Sequence, residues 1–201
     1  MNFHNLYFAS KNPDKHREIE EILTGLNLCI KPPSINFPPN LESGETLEEN
    51  AYIKAKFLFD HGYAPVFADD TGLFLPHLGG LPGVNSSRFA GPRATYEENR
   101  IKLLNLVKNL GFHLRFAYFK TVICLITSKG NVHFFTGKVE GFIVDEMRGD
   151  YTFGYDPLFL YPQLGMTFGE LPLALKNKIS HRGKAFNQMI LFLREHEGSI
   201  F

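Results

Sequence analysis

The chain has 201 residues and a mass of 22.9 kDa, which is about the size of one domain. Hydrophobic residues make up 44% of it and charged residues 21%, a globular composition that excludes a disordered or low-complexity chain. Its 21 Lys and Arg residues balance 21 Asp and Glu residues. The chain therefore lacks the basic surface that general nucleic-acid binding requires, and no nucleic-acid partner is expected.

Neither a membrane anchor nor a secretion signal is predicted. No apolar run approaches the roughly 18 residues of a membrane span, and Met1–Ser10 lacks the basic start and apolar core of a signal peptide. We therefore expect a cytoplasmic protein that does not bind membranes. Cys29 and Cys124 are far apart and form no C-x-x-C pair, which predicts reduced thiols that serve packing.

A buried strand is predicted over Asn5–Ala9, followed by a helix. Asn12 is suited to cap that helix, Pro13 to its first position and Asp14 to its first turn. The helix has an apolar face and two residues at which it can end: Ile19, Ile22, Leu23 and Leu26 on the face, and Gly25 and Asn27 at the end. The Pro-rich stretch Pro32–Asn40 is predicted to be a loop.

Two capping-box patterns predict the second and third helices. Thr46 and Glu49 open a helix that continues through Leu58, and Thr95 and Glu98 open the next one. The third helix has an apolar face made of Leu103, Leu106, Val107 and Leu110.

Between these helices, Pro65–Ala68 is predicted to be a buried strand that ends at the acidic pair Asp69 and Asp70. The Gly- and Pro-rich segment Leu78–Gly91 is predicted to be a structured loop. Farther on, the extended runs Arg115–Thr127 and Val132–Val144 flank a four-residue turn, which predicts an antiparallel hairpin.

A last helix is predicted over Gly183–Glu195, with an apolar face made of Phe186, Met189, Ile190 and Leu193. Neither a repeat nor a linker divides the sequence. We therefore expect a single domain over residues 1–201 of the α/β class. It should have a mixed central β-sheet flanked by helices, with two lobes around an active-site cleft.

The first candidate site is the segment that joins the first strand to the first helix, Ser10-Lys11-Asn12-Pro13-Asp14-Lys15. Backbone N–H groups and the dipole at a helix N-terminus attract anions, and Lys15 adds a positive charge, so a phosphate is one interpretation. The alternative is that Asn12 only caps the helix and Lys15 is a solvated charge. The segment is not a Walker A loop, because the Gly-rich spacing and the Lys-Ser/Thr pair are missing.

The second candidate is acidic. If the strand persists, the side chains of Asp69 and Asp70 point to opposite faces, so only one need enter a site. A carboxylate there can hold Mg²⁺ or accept a proton from attacking water, or the pair simply begins a turn. Four further acids precede or open the second helix: Glu42, Glu45, Glu48 and Glu49. Spacing favours a capping role for Glu49 over metal ligation, whereas Glu42 has no competing role.

The third candidate combines aromatic and polar groups. Phe153-Gly154-Tyr155-Asp156-Pro157 can stack on a base and bind its edge, or can be a turn with core residues. Lys176, Ser180, His181 and Arg182 are donors suited to base oxygens or phosphates, although Ser180 can equally cap the last helix. With no Cys/His metal spacing and no G-x-S-x-G motif, these groups favour Mg²⁺-assisted attack of water on a nucleotide phosphate.

Seven segments then coincide in order: Ser10-x-Asn12-x-x-Lys15, Glu49-Asn50-Ala51, Ala68-Asp69-Asp70-Thr71-Gly72-Leu73, Leu81-Pro82-Gly83-Val84, Ser87-Arg88-Phe89, Phe153-Gly154-Tyr155-Asp156-Pro157 and Ser180-His181-Arg182. Each motif is weak, but the ordered set is specific. It resembles the inosine/xanthosine triphosphate pyrophosphatase family from about Leu6 to Leu193.

This resemblance implies a homodimeric α/β enzyme that uses Mg²⁺ to hydrolyse inosine, deoxyinosine and xanthosine triphosphates to the monophosphate and pyrophosphate. It implies that Asp70 accepts the proton and binds the metal, with Glu42 or a neighbouring acid as second ligand. It also implies that Asn12 and Lys15 hold the phosphates, that Phe153 stacks on the purine with Tyr155 and Asp156 lining its pocket, and that Thr71 contacts the substrate. Base recognition is implied for Lys176, Ser180, His181 and Arg182. The other implied substrate-binding residues are Ser10, Lys11, Pro13, Asp14 and Gly154.

The chain departs from the family pattern at three places. Ser10 stands where Thr is usual and Thr71 where Ser is usual, and both changes keep a hydroxyl group. Asp150-Tyr151-Thr152 precedes Phe153 where small residues are usual, so that a bulkier segment lies beside the implied base pocket. Two other hypotheses are a nucleotide phosphatase that releases orthophosphate from the same site and a purine-nucleotide sensor without turnover.

Overall fold

The computed structural model describes residues 4–24, 28–38 and 41–201. The strands are β1 His4–Phe8, β2 Leu28–Lys31, β3 Val66–Phe74, β4 Pro82–Gly83, β5 Phe116–Ile126, β6 Val132–Ile143, β7 Phe159–Tyr161 and β8 Met166–Thr167. The α-helices are α1 Pro13–Ile22, α2 Leu47–Asp60, α3 Tyr96–Val107, α4 Leu173–Ile179, α5 His181–Glu195 and α6 Glu197–Ile200. None of the helices in these described ranges is long and apolar enough to cross a membrane.

The strands form one sheet in the order β2-β1-β3-β5-β6-β7-β8, and β4 pairs with β3 outside this path. β1 is parallel to both of its neighbours, with Leu6 opposite Ile30 and Phe8 opposite Phe67. β4 is antiparallel to β3, and β7 is antiparallel to β6 and β8. The predicted mixed sheet in an α/β fold is therefore confirmed.

The described chain forms two compact units. Unit 1 comprises the residues up to Asp70 together with Thr121–Gly137 and His181–Phe201, and unit 2 comprises Thr71–Lys120 and Lys138–Ser180. The single domain over residues 1–201 and the cleft between lobes both stay predictions.

Each unit has its own apolar core. In unit 1 the Phe8 and Phe67 rings stack with their centroids 4.6 Å apart, and Phe186 of α5 meets Phe67 edge-on at 5.6 Å. In unit 2 the Phe159 ring packs between Phe119 and Phe168, at centroid distances of 4.7 and 5.0 Å. Because these rings are buried, they supply much of the apolar area that stabilises each unit.

Local signals place most helix starts correctly. Asn12 caps α1, and both predicted capping boxes, Thr46 with Glu49 and Thr95 with Glu98, are present. Helix ends are predicted less well, since α1 ends at Ile22 and α3 ends at Val107, before Leu110. The predicted α1 residues Gly25, Leu26 and Asn27, and the last two residues of the predicted loop, Pro39 and Asn40, lie outside the described residues.

The strand that carries the acids is longer than predicted. β3 does not end at Asp69 but continues to Phe74, because its last residues pair with β4 within the segment predicted to be a structured loop. In addition, the backbone N–H of Leu73 donates to Ser86 Oγ at 2.9 Å. The prediction that acids stand at a strand end is therefore wrong, and Asp69 and Asp70 are interior strand residues.

The predicted hairpin is confirmed. β5 and β6 are neighbours in the sheet and are joined by a turn in which the Thr127 N–H donates to the Asn131 carbonyl oxygen at 3.0 Å. So short a connection joins only antiparallel strands. The short elements β2, β7, β8, α4 and α6 are not among the predicted ones, because they are too short to show a hydrophobic period.

Helix α5 begins at His181, two residues before the predicted start at Gly183. Gly137 of β6 explains how its first turn can lie so close to the sheet. A Cβ atom at Gly137 would be 2.0 Å from the carbonyl oxygen of His181 and 2.6 Å from the nitrogen of Ala185. Only glycine permits this close approach of the first turn of α5, at His181 and Ala185, to β6.

Both cysteines are free thiols, as predicted. Cys124 is fully buried in β5, and burial raises the pKa of its thiol to about 12. Because the thiolate is the nucleophilic form, Cys124 is chemically inert at neutral pH.

Candidate active site

The segment between β1 and α1 forms a capped helix N-terminus. Asn12 Oδ1 accepts hydrogen bonds from the N–H groups of Asp14 at 2.9 Å and Lys15 at 3.4 Å. Ser10 Oγ accepts one from the N–H of Asn12 at 3.2 Å, and Pro13 occupies the first helical position. Lys11 is exposed and donates to the side chain of Asn36. The cap is thus confirmed, and it satisfies the first N–H groups of α1, so that the helix dipole and Lys15 are what favour an anion here.

Lys15 is not a solvated charge. Its side chain is only 15% exposed, and its Nζ lies 2.8 Å from Asp69 Oδ1 and 3.3 Å from the Asp69 carbonyl oxygen. Burial, together with the nearby positive charges of Lys54 and Arg182, lowers the pKa of Lys15, although Asp69 opposes the shift. The solvated alternative for Lys15 is therefore wrong.

Asp69 is the centre of a buried ion network. The sequence predicted Asp70, and not Asp69, as the catalytic and metal-binding acid. Its Oδ2 accepts from Arg182 Nη2 at 3.2 Å and Nε at 3.3 Å, while Arg182 also donates to the buried carboxylate of Glu18. Burial disfavours the charged form of Asp69, but Lys15 and Arg182 outweigh burial and lower its pKa well below the usual range. Asp69 is therefore ionised at neutral pH.

Arg182 is placed differently from the donor expected in the sequence analysis. It is 2% exposed and lies between two carboxylates. Burial opposes its charge, yet Glu18 and Asp69 raise the pKa of the guanidinium above its usual range. Glu18 was not predicted as part of this network. The sequence signal for it is that an acid directly precedes the apolar Ile19 on the buried side of α1.

Asp70 has different partners from Asp69, as expected for successive residues of a strand. Lys54 Nζ lies 2.7 Å from Asp70 Oδ1 and 2.7 Å from Glu42 Oε1. The same Nζ donates to the carbonyl oxygen of Asp69 at 2.7 Å. One ammonium group therefore brings together the two residues predicted as metal ligands, which are separated by 28 positions in the numbering of the chain.

The charges of this cluster shift each other's pKa values. Burial raises the pKa of Asp70, and the nearby carboxylate of Glu42 adds to the rise against the pull of Lys54. Burial works against the charge on Lys54, but Asp70 and Glu42 raise its pKa overall. An Asp with a raised pKa is a better proton acceptor than an exposed one once it is ionised. Lys54 was missed from the sequence because a lysine within a helix gives no sign that it is buried.

Glu49 has the structural role favoured by its spacing. Its Oε2 accepts from the N–H groups of Glu45 at 2.7 Å and Thr46 at 3.3 Å. The next residue, Asn50, accepts from the Gly44 N–H at 2.8 Å and donates to the Gly44 carbonyl oxygen at 3.3 Å. These bonds hold the loop that carries Glu42 against the start of α2.

Unit 2 brings together the aromatic segment and Lys176. The buried ammonium of Lys176 forms an ion pair with Asp156 and lies 4.5 Å from the centroid of the Tyr151 ring and 5.4 Å from that of Phe153. Tyr155 donates its hydroxyl to the Ser86 carbonyl oxygen at 2.9 Å, and burial raises its pKa above the usual range. The half-buried rings of Tyr151 and Phe153 thus lie beside the buried ion pair of Lys176 and Asp156.

The predicted site residues divide between the units. Unit 1 contains the residues 10–15, Glu42, Asp70, His181 and Arg182, and unit 2 contains Thr71, Phe153, Gly154, Tyr155, Asp156, Lys176 and Ser180. Within unit 2, Thr71 is half-buried in β3, and Ser180 is buried at the C-terminal end of α4. Ser180 immediately precedes His181, the first residue of α5.

The acidic cluster fits a hard cation. Among residues 4–24, 28–38 and 41–201, no group of three His, Cys, Asp or Glu side chains is arranged to hold a metal ion. The carboxylates of Glu42 and Asp70 nevertheless lie close together, because both contact the ammonium group of Lys54. Mg²⁺ is commonly bound by one or two carboxylates, substrate phosphates and water rather than by a full protein cage, so these two oxygen donors suit it.

Comparison with known proteins then decides the family. The model of the Ham1 family matches residues 6–192. The chain belongs to the Ham1 family. The Ham1 protein of Staphylococcus aureus has a solved structure that matches with a TM-score of 0.83 and 34% identity, covering 96% of this chain and 99% of that one. A HAM1 protein from Coxiella burnetii matches with a TM-score of 0.82 and 37% identity over 95% and 98% of the two chains.

The resemblance seen in the ordered motifs is also confirmed. A curated relative from Caldanaerobacter subterraneus subsp. tengcongensis, named dITP/XTP pyrophosphatase, is 45% identical over 194 residues. This match covers 95% of the present chain and 94% of the relative. The similarity thus extends over nearly the whole length of both proteins.

Proposed function

We propose that this chain hydrolyses non-canonical purine nucleoside triphosphates, namely ITP, dITP and XTP, to the monophosphate and pyrophosphate, which removes them from the nucleotide pool. The observation that carries the proposal is that the carboxylates of Glu42 and Asp70 both contact the ammonium of Lys54 and therefore lie side by side. They do so in a member of the Ham1 family. The relatives named dITP/XTP pyrophosphatase support this choice of substrate.

In the proposed reaction, Asp70 accepts the proton of the water that attacks the α-phosphorus. Glu42 and Asp70 are the carboxylates that would hold Mg²⁺, which would neutralise charge on the phosphates and support departure of pyrophosphate. Lys54 hydrogen-bonds Asp70 and orients its carboxylate. Asn12 and Lys15 bind phosphate oxygens, and the dipole at the start of α1 favours their negative charge.

The residues of unit 2 are proposed to bind the base. Phe153 stacks on the purine, and Tyr155 and Asp156 line its pocket. Lys176 and Ser180 are proposed to contribute donors toward the 6-oxo group, as is His181 of unit 1, and Thr71 is proposed to contact the substrate. Arg182, which is buried between Glu18 and Asp69, is not proposed as a donor to the base. A donor aimed at a 6-oxo group faces the 6-amino group of adenine without a partner, which costs binding energy and spares ATP.

Product analysis tests the proposed function. Purified protein with Mg²⁺ is incubated separately with ITP, XTP, GTP and ATP, and the products are separated by ion-exchange chromatography. We expect monophosphate and pyrophosphate from ITP and XTP and little turnover of ATP. Diphosphate with orthophosphate would instead indicate the phosphatase hypothesis, and saturable binding without products would indicate the sensor.

A matched pair of variants tests the metal ligands. Glu42→Gln is expected to raise the Mg²⁺ concentration for half-maximal activity by about tenfold, because a carboxylate ligand is lost. Glu49→Gln is the control, since Glu49 accepts backbone hydrogen bonds at the start of α2. It should leave the Mg²⁺ dependence unchanged. Equal Mg²⁺ dependence in the two variants would contradict the assignment of Glu42.

The assembly and location of the protein are also proposed. We expect a homodimer in the cytoplasm, on the strength of the family resemblance. Multi-angle light scattering after size-exclusion chromatography measures the mass directly, and a mass near 22.9 kDa rather than twice that value would contradict the dimer.

A further inference from the structure

Two side chains of α3 contact the segment that carries Phe153. Arg100 Nη1 donates to the carbonyl oxygens of Thr152 and Gly154, each at 2.9 Å. The Tyr96 ring meets the Phe153 ring edge-on, with centroids 5.6 Å apart and planes at 66°. Tyr96 and Arg100 are four residues apart and therefore share one face of the helix.

The contacts of Arg100 fix the backbone on both sides of Phe153. One guanidinium nitrogen bonds the carbonyl before the ring and the carbonyl after it, and Arg100 is only 7% exposed. Gly154 has a φ of 53°, a left-handed conformation that glycine adopts readily. A glycine at this position leaves the segment flexible unless other contacts hold it. Arg100 supplies such contacts through a rigid, planar donor group.

We propose that Arg100 is a positioning residue that presents the Phe153 ring to the purine base. This inference rests on the proposed function, in which Phe153 stacks on the base. Arg100 acts through the backbone carbonyl groups of Thr152 and Gly154. Its loss therefore weakens binding of the base in the ground state and the transition state alike, which raises KM and leaves kcat nearly unchanged.

The test begins with Arg100→Met, which keeps much of the side-chain length and removes the donors. We expect KM for ITP to rise about tenfold, in the range of the stacking contribution of one base, while kcat changes by less than about twofold. Inhibition by added pyrophosphate, which has no base, should be unchanged. Arg100→Lys keeps a cation that can reach one carbonyl, so its KM should lie between those of Arg100→Met and the unmodified protein.

Arg115→Met is the matched control. Arg115 is also a buried arginine of unit 2 that donates to a backbone carbonyl, in this case Leu110 at 3.0 Å from its Nε. This variant should lose thermal stability as Arg100→Met does, but KM for ITP should stay the same. An equal rise in KM for both variants would show a general effect of unfolding and would overturn the proposal.

A double-mutant cycle asks whether Arg100 acts through Phe153. Phe153→Leu should raise KM on its own, and adding Arg100→Met to it should raise KM little further. If the KM of the double variant rose by the product of the two single effects, the role of Arg100 would be overturned and the proposed function would remain intact. The proposed function fails separately if the unmodified protein releases no pyrophosphate from ITP, dITP or XTP.

Discussion

Asp70→Asn is expected to lower the rate of pyrophosphate release from ITP by about a thousandfold while the fold is retained. A general base contributes roughly 10²- to 10⁴-fold to a rate, and the amide cannot take the proton of the attacking water. The change is nearly isosteric, and the amide oxygen can still accept the hydrogen bond from Lys54 that Asp70 now accepts at 2.7 Å. Initial rates at saturating Mg²⁺ and ITP measure the effect.

The matched control for this variant is Asp60→Asn. Asp60 is an exposed acid at the end of α2 and pairs with Lys56 on the same helix. An exposed pair of this kind contributes little to stability, so both activity and melting temperature should stay close to those of the unmodified protein. Turnover by Asp70→Asn at the rate of Asp60→Asn would refute the assignment of Asp70 as the proton acceptor.

Arg182→Met is expected to lower the free energy of unfolding by about 3–5 kcal/mol, the usual cost when one partner of a buried ion pair is removed. The side chains of Glu18 and Asp69 are both at most 1% exposed and pair with this guanidinium. Without it, the buried ion pair with Glu18 is lost, whereas Asp69 retains Lys15. Urea denaturation followed by circular dichroism measures the loss.

Arg194→Met provides the comparison for that variant. Arg194 lies in the last turn of the same helix, α5, and is exposed. Its replacement should change the free energy of unfolding by less than about 0.5 kcal/mol, as is usual for surface substitutions. If Arg182→Met were equally mild, the guanidinium would not be needed to compensate the two buried carboxylates.

Much of the architecture could be predicted from local patterns in the sequence. Helix caps act within three or four residues, so Asn12, Thr46 and Thr95 are recognisable without any knowledge of the fold. The capping role of Glu49 follows from the same rule. The extension of β3 beyond Asp70 could not be predicted, because it depends on pairing with β4.

The candidate site was only partly predictable, because some of its contacts also depend on the fold and not on the local sequence. Asp70, Glu42 and Lys15 carry chemistry that residue type and spacing suggest. Lys54 resembles any helical lysine until the fold brings its Nζ between Glu42 and Asp70.

The sequence by itself determined where α1, α2 and α3 begin, the mixed α/β class, the family and the residue types available for phosphate chemistry. Only the tertiary structure decided which charges meet. Arg182 bonds Asp69 across 113 positions and Glu18 across 164, and Arg100 bonds Thr152 across 52. Such contacts leave no local pattern, because burial and the pairing of opposite charges depend on the folded backbone and not on spacing along the chain.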